Sequence, residues 1–137
     1  MTPPAVPPLD VSAAVIERHG LILICQRKRG SKHELQWEFP GGKAEVGESP
    51  KEALARELRE ELAIEAQIGQ QLDCHDFLYP GAQRLTRLWF FRVTEFTGEP
   101  VNLEFEQMVW EHPSRLTGYD FLKGDVEFVA GLAGGKY

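Results

Sequence analysis

The sequence predicts an α+β sandwich, mixed β-strands packed between helices, and three observations carry that expectation. Short apolar runs rich in β-branched and aromatic residues recur along the chain, each closed by glycine, proline or polar turn residues. One amphipathic helical stretch with a full start signal stands among them, and a second helical stretch closes the chain. Mixed strands with two main helices belong to the layered α+β class.

The elements follow in chain order. Met1 to Leu9 contains four prolines and little that packs, so residues 1–10 are expected to form a flexible or edge-hugging tail before a single domain over 11–137. Val11 to Ile16 and Leu21 to Gln26 read as a hairpin turned at His19-Gly20. Arg27 to Gln36 is polar and loop-like, and Trp37-Glu38-Phe39 is a short strand leading into a Pro40-Gly41-Gly42 turn. Ser49 is placed to cap a helix with Pro50 at its first position and Glu52 completing a capping box, and the helix should run to about Leu62. Ala66 to Leu78, broken near Gly69, and Arg87 to Phe96 read as strands joined by a Tyr79-Pro80-Gly81 turn. After a turn at Thr97-Gly98-Glu99-Pro100 come a strand at Gln107 to Trp110 and a helical turn at Pro113 to Leu116. Asp125 to Leu132 closes the chain as a helix, with Val126, Val129 and Leu132 expected on its packed face.

Composition narrows the classes of function. With 137 residues and 42% hydrophobic content the chain is one domain with enough mass for a sizeable core, and no second domain fits. A net charge of -6 argues against a nucleic-acid polymer or a membrane surface as partner, and a phosphate substrate must then arrive with its metal. Cys25 and Cys74 sit in apolar runs without metal-ligand spacing, and neither a signal segment nor a long apolar span is present, so a reduced cytoplasmic home is expected. Monomer and homodimer both stay open.

The chemistry concentrates on the first helix. Residues three and four apart share a helical face, so Glu57, Glu60 and Glu61 point the same way and make a site for a hard cation. Leu54, Leu58 and Leu62 form a packing stripe beside that acidic face. Taken alone, such a run reads equally as a solvated helix with Glu/Arg pairs. The longer pattern decides more: Gly42, Glu48, Arg56, Glu57, Leu58, Glu60, Glu61 and Ile64 fill eight of the nine defined positions of G-x5-E-x7-R-E-U-x-E-E-x-G-U, U being a bulky aliphatic residue. This resembles the Nudix box. Ala63 departs from it, standing where the family has a glycine that closes the helix in a left-handed conformation.

From about Val11 to Leu132 the chain is similar to the MutT-type branch of Nudix hydrolases, whose fold is also an α+β sandwich. The resemblance implies Mg²⁺-dependent hydrolysis of a nucleoside triphosphate to monophosphate and pyrophosphate, with Mn²⁺ able to substitute. It implies a small-molecule nucleotide substrate, 8-oxo-dGTP in the role of nucleotide-pool sanitation, with (d)CTP or a modified pyrimidine triphosphate as the alternative. A catalytically silent Nudix-fold nucleotide-binding module is the reading from a different class. The implied metal ligands are the backbone carbonyl of Gly41 with Glu57, Glu60, Glu61 and Glu104, the last of which serves as a further ligand or water-orienting base and competes with Glu106. Glu48 and Arg56 complete the catalytic set by orienting those carboxylates.

Substrate binding is expected from Arg27, the Glu38-Phe39-Pro40-Gly41 run, Lys43, Arg84 and Asp125. Phe39 resembles a base-stacking position and reads equally as core. Lys43 stands where it can neutralise a phosphate, and Arg84 aligns with an arginine that closes over the base. Asp125 stands where 8-oxoguanine-specific members carry asparagine; an ionised carboxylate only accepts, which favours base edges rich in N–H donors. It is also a natural N-cap for the last helix.

Overall fold

The computed structural model describes residues 6–137. Five strands form the spine of a mixed sheet: β1 (Leu9–Arg18), β2 (Leu21–Gln26), β3 (Trp37–Glu38), β6 (Gln71–Phe77) and β7 (Thr86–Val93), in the order β3-β2-β1-β7-β6. Two more strands join its flanks, β4 (Gly41–Lys43) on β1 and β9 (Gln107–Glu111) on β2. β5 (Glu65–Gln67) and β8 (Glu95–Thr97) make a separate two-stranded sheet. The helices are α1 (Pro50–Leu62) and α2 (Val126–Ala133), the latter preceded by 3-10 turns at Pro113–Gly118 and Lys123–Asp125.

β1 organises the fold. It runs parallel to β7 from Leu9↔Thr86 to Ile16↔Val93, while its other edge is shared: β4 pairs with Val11 to Ala13, and β2 pairs only with Glu17 and Arg18. Its side chains alternate between two cores, as a strand covered on both faces must. Ala13 and Val15 join Phe39, Phe90, Phe121, Phe128, Val129 and Leu132 on the α2 side. Ala14 and Ile16 join Leu23, Leu54, Leu58, Leu62, Phe91 and Phe105 on the α1 side. The leucine stripe of α1 is thus fully buried, as its four-residue spacing requires.

Several expectations are refined. The proline-rich tail falls partly on residues 1–5, outside those described, and the part expected to be loose at Leu9 and Asp10 already belongs to β1. The hairpin turns at His19 and Gly20, both left-handed with φ 54° and 76°. The single strand expected over Arg87 to Phe96 is two strands in two sheets, parted at Thr94, because β8 leaves β7 to pair with β5. The Pro40-Gly41-Gly42 turn is the start of strand β4. On α2 the packed residues are Phe128, Val129 and Leu132, whereas Val126 is 54% exposed. The larger phenylalanine takes the core-facing place expected of Val126, while Val129 and Leu132 pack as expected.

The capping box at Ser49 and Glu52 is present in both directions, with Glu52 N–H to Ser49 Oγ at 3.1 Å and Ser49 N–H to Glu52 Oε1 at 2.9 Å. At the other end Ala63 occupies the left-handed cap at φ 56°, ψ 35°, its N–H donating to the Arg59 carbonyl. A β-carbon is unfavourable there. Ala63→Gly should therefore stabilise the fold by about 0.5–1 kcal/mol, less than the bare cap preference because glycine also frees the unfolded chain. A rise in urea midpoint at unchanged m-value checks it.

Candidate active site

The site begins where β4 passes α1. A β-carbon on Gly41, whose φ is 151°, would lie 1.9 Å from the Ser12 carbonyl oxygen, so this strand can reach β1 only with glycine. At Gly42 a β-carbon would lie 2.6 Å from the Glu57 carboxyl carbon; the missing side chain makes room for that carboxylate against the backbone. Ser12, itself buried, donates through Oγ to the Pro50 carbonyl at 2.8 Å and ties the start of α1 to β1.

Arg56 is the hub of the acidic face. Its Nε and Nη2 grip the two oxygens of Glu48 at 2.8 and 2.9 Å, Nη1 donates to Glu57 at 3.0 Å and Glu60 at 3.2 Å, and Nη2 also donates to the Lys43 carbonyl at 3.0 Å. These contacts use all five guanidinium donors. The Arg56 hydrogen bonds, helped by the Glu45 N–H, hold the Glu48 carboxyl down at about 2. Glu57 is raised by burial despite Arg56.

Glu61 stands apart from that hub. Its Oε1 accepts from the Gly41 N–H at 2.9 Å, a contact of the amide and not of the carbonyl expected to face a metal. Burial above all, then repulsion from Glu57, pushes its carboxyl up to about 9, with Glu38 and Glu104 adding further repulsion. Such a set, all hard oxygen and short of positive charge, suits a divalent cation. Among the described residues no three acidic, histidine or cysteine side chains close into a cage, and Glu60 is exposed beside Arg56.

A cleft of about 580 Å³ opens beside Glu61. It brings together Arg27, Glu38, Phe39, Gly41, Lys43, Glu61, Arg84, Glu104 and Asp125 from the expected set. Glu48, Arg56, Glu57 and Glu60 gather next to Gly42 and Lys43 without lining it, and Pro40 is buried with its carbonyl accepting from Ala14. Glu104 sits on a loop pinned by Asn102, whose Oδ1 accepts from the Phe105 N–H at 2.8 Å. Its competitor Glu106 is turned away and accepts from the Arg29 N–H at 3.0 Å. A second recess of about 750 Å³, between Glu17, Glu65 and Glu95, holds none of these residues.

At the far end of the cleft the wall is aromatic. Phe39 is buried, with Phe121 and Phe128 5.3 and 5.8 Å from its ring, and presents only an edge of the core to the cleft. Arg27 donates to Glu38 at 3.1 Å. Arg84 lies on the rim, its Nε donating to the Pro7 carbonyl at 2.8 Å. Asp125 precedes α2 but its side chain makes no capping hydrogen bond; it is 5% exposed, and burial together with Glu38 lifts its carboxyl to about 8. Tyr79, His33 and Leu88 also line this end and were not singled out from sequence. An aromatic in a Pro-Gly turn and a loop histidine carry no local signal of a pocket.

The NUDIX domain family matches residues 6–131 of this chain. The chain belongs to the Nudix family. Nudix hydrolases act on nucleotide substrates with a divalent metal, and this one is similar to the CTP pyrophosphohydrolase of Escherichia coli K12 at 40% identity, covering 86% of each chain. It is similar to the 8-oxo-dGTP diphosphatase of Haemophilus influenzae at 32% identity, covering 88% of each. Among solved structures, the ORF135 protein of E. coli superimposes with a TM-score of 0.84 at 36% identity, over 95% of this chain and 91% of the other. No helix of the described residues is long and apolar enough to cross a membrane.

Proposed function

We propose that this Nudix hydrolase cuts nucleoside triphosphates to the monophosphate and pyrophosphate, with Mg²⁺ held by Glu57, Glu60, Glu61, the Gly41 carbonyl and Glu104. The observation that carries the reading is Glu61: a carboxyl pushed up to about 9 beside other carboxylates, lining the same cleft as Asp125. When bound, the metal would neutralise phosphate oxygens and activate water. The chain's own part is positional. Arg56 fixes Glu57 and Glu60, Gly41 fixes Glu61, and Asn102 fixes the loop of Glu104 as candidate water-orienting base. Lys43 and Arg27 offer positive charge to phosphates in an otherwise acidic protein. A pyrophosphate-release screen over normal and oxidised triphosphates, with nucleotide sugars as controls, tests the reading. Background turnover of every triphosphate with Mg²⁺ and with Mn²⁺ would instead favour a silent binding module.

Asp125 favours two base classes in turn, 8-oxo-dGTP and (d)CTP, which are also the substrates that the names of the two relatives carry. Below its raised value of about 8 the carboxyl is neutral and both donates and accepts, like the asparagine of 8-oxoguanine-specific members. Above it the carboxylate only accepts, which suits the amino group of cytosine. The ratio of kcat/KM for 8-oxo-dGTP over CTP should therefore fall as pH rises through about 8. In Asp125→Asn that ratio should be higher and should stay flat with pH. A pH-independent ratio in the wild type would remove Asp125 from base reading. Such an enzyme belongs in a reduced cytoplasm with its nucleotides, as a pool sanitiser acting on free triphosphates, away from nucleic-acid polymers and membranes, and both cysteines are free thiols.

A further inference from the structure

His75 lies on β6, outside the cleft, and the proposed chemistry makes no use of it. Its ring stacks on Phe90, with centroids 5.8 Å apart and planes 19° apart. Nδ1 is 2.9 Å from Asp73 Oδ2, and Nε2 is 3.0 Å from the Gly124 carbonyl oxygen. Both partners only accept, so a neutral imidazole satisfies one of them and the imidazolium satisfies both. Gly124 is buried next to Asp125 in the 3-10 turn. A β-carbon there would lie 2.5 Å from the Tyr79 hydroxyl and 2.8 Å from Leu88 Cδ1, both of which line the cleft. The same turn is held from the other side by Leu122, whose N–H donates to the Trp37 carbonyl at 3.0 Å.

We propose that His75, oriented by Asp73, is a positioning residue for base recognition: by holding the Gly124 carbonyl it sets where Asp125 and Tyr79 stand at the base end of the cleft. The Asp125 carboxyl makes no capping bond, so its place is set by the backbone turn that carries it. That turn is anchored to the sheet through His75 and to β3 through Leu122. A shift of a few tenths of an ångström at Gly124 moves the reading group while leaving the metal end, on α1 and β4, in place. Asp73 works through the ring, as carboxylates behind ligating histidines do.

This inference rests on the pyrophosphohydrolase reading and deepens it. The test measures kcat and KM for 8-oxo-dGTP, CTP and dGTP in the wild type, His75→Phe, His75→Gln and Asp73→Asn. His75→Phe keeps an aromatic ring against Phe90 and removes both bonds. It should raise KM for the base that the wild type prefers about tenfold, with kcat within about twofold, and bring the preference ratio toward one. His75→Gln supplies a donor for the Gly124 carbonyl and should recover part of the ratio, and Asp73→Asn should fall between. Loss of kcat/KM by the same factor for every base, or a lower melting temperature with the ratio unchanged, would overturn the role. If His75→Phe fails to fold, Asp73→Asn and His75→Gln carry the same comparison. A wild type inactive on all three triphosphates would sink the reaction itself, and this role with it; an active wild type whose variants keep its ratio would sink only the role.

Discussion

Glu61→Gln is expected to lower kcat for triphosphate hydrolysis at least about a hundredfold, the scale of losing a metal ligand or a well-placed charge stabiliser. The same change should make the metal-free protein less sensitive to pH. Glu61 is raised from 4.5 to about 9, so the folded state holds its proton more tightly than the unfolded chain does. Its contribution to stability is therefore complete below pH 4.5 and is lost as pH rises through about 9. Chelator-treated wild type should melt at falling temperature across that window, and Glu61→Gln should flatten the slope. Adding Mg²⁺ at about pH 8 should restore stability to the wild type by mass action and do little for the variant. Equal Mg²⁺ shifts in the two proteins would remove Glu61 from the metal site.

Arg56 carries the second large effect, because one guanidinium organises Glu48, Glu57, Glu60 and the Lys43 carbonyl. Lysine preserves the charge but cannot fork, so Arg56→Lys should cost about tenfold in kcat/KM and Arg56→Gln about a hundredfold. In the glutamine variant Glu57 and Glu60 lose their only side-chain donor among the described residues. The Mg²⁺ concentration for half-maximal rate should rise in both variants. Pyrophosphate release titrated against Mg²⁺ separates this outcome from a simple loss of folded protein, which would lower the plateau and leave the midpoint unmoved.

Much of this was legible because it is local. Ser49, Pro50 and Glu52 specify the start of α1 by their own hydrogen bonds, and the leucine and glutamate stripes follow from the helical period. Gly41 and the box residues Gly42, Glu57 and Glu61 meet because that helix starts seven residues after Lys43 ends the pass of β4 along β1. What escaped the sequence depends on distant partners. Nothing near Thr94 shows that the chain changes sheets there, since the reason is the pairing of Glu65 to Gln67 with β8. Arg84 is engaged by Pro7, and Phe128 displaces Val126 from the core, through contacts that only the folded chain makes. Asp125 reads as a cap from its position, yet its carboxyl turns to the cleft. The part of the cleft lined by Tyr79, Leu88, Glu38 and Asp125 is assembled from four separate stretches and has no linear signature.

The parallel pairing of β1 with β7 also bears on how the molecule comes into being. Leu9 meets Thr86 and Ile16 meets Val93, so the central pair of the sheet joins chain made early to chain made late. Loop closure on that scale is slow and must precede the contacts that reward it. The hairpin at His19-Gly20 and the capped α1 can form first, but one edge of β1 stays unpaired until β7 arrives, and the face that packs toward α2 stays uncovered until that last helix follows. On the ribosome, the box is therefore complete in sequence well before it can be complete in space. Ala13 and Val15, on the face that α2 closes last, are until then the residues of β1 most in need of protection from association.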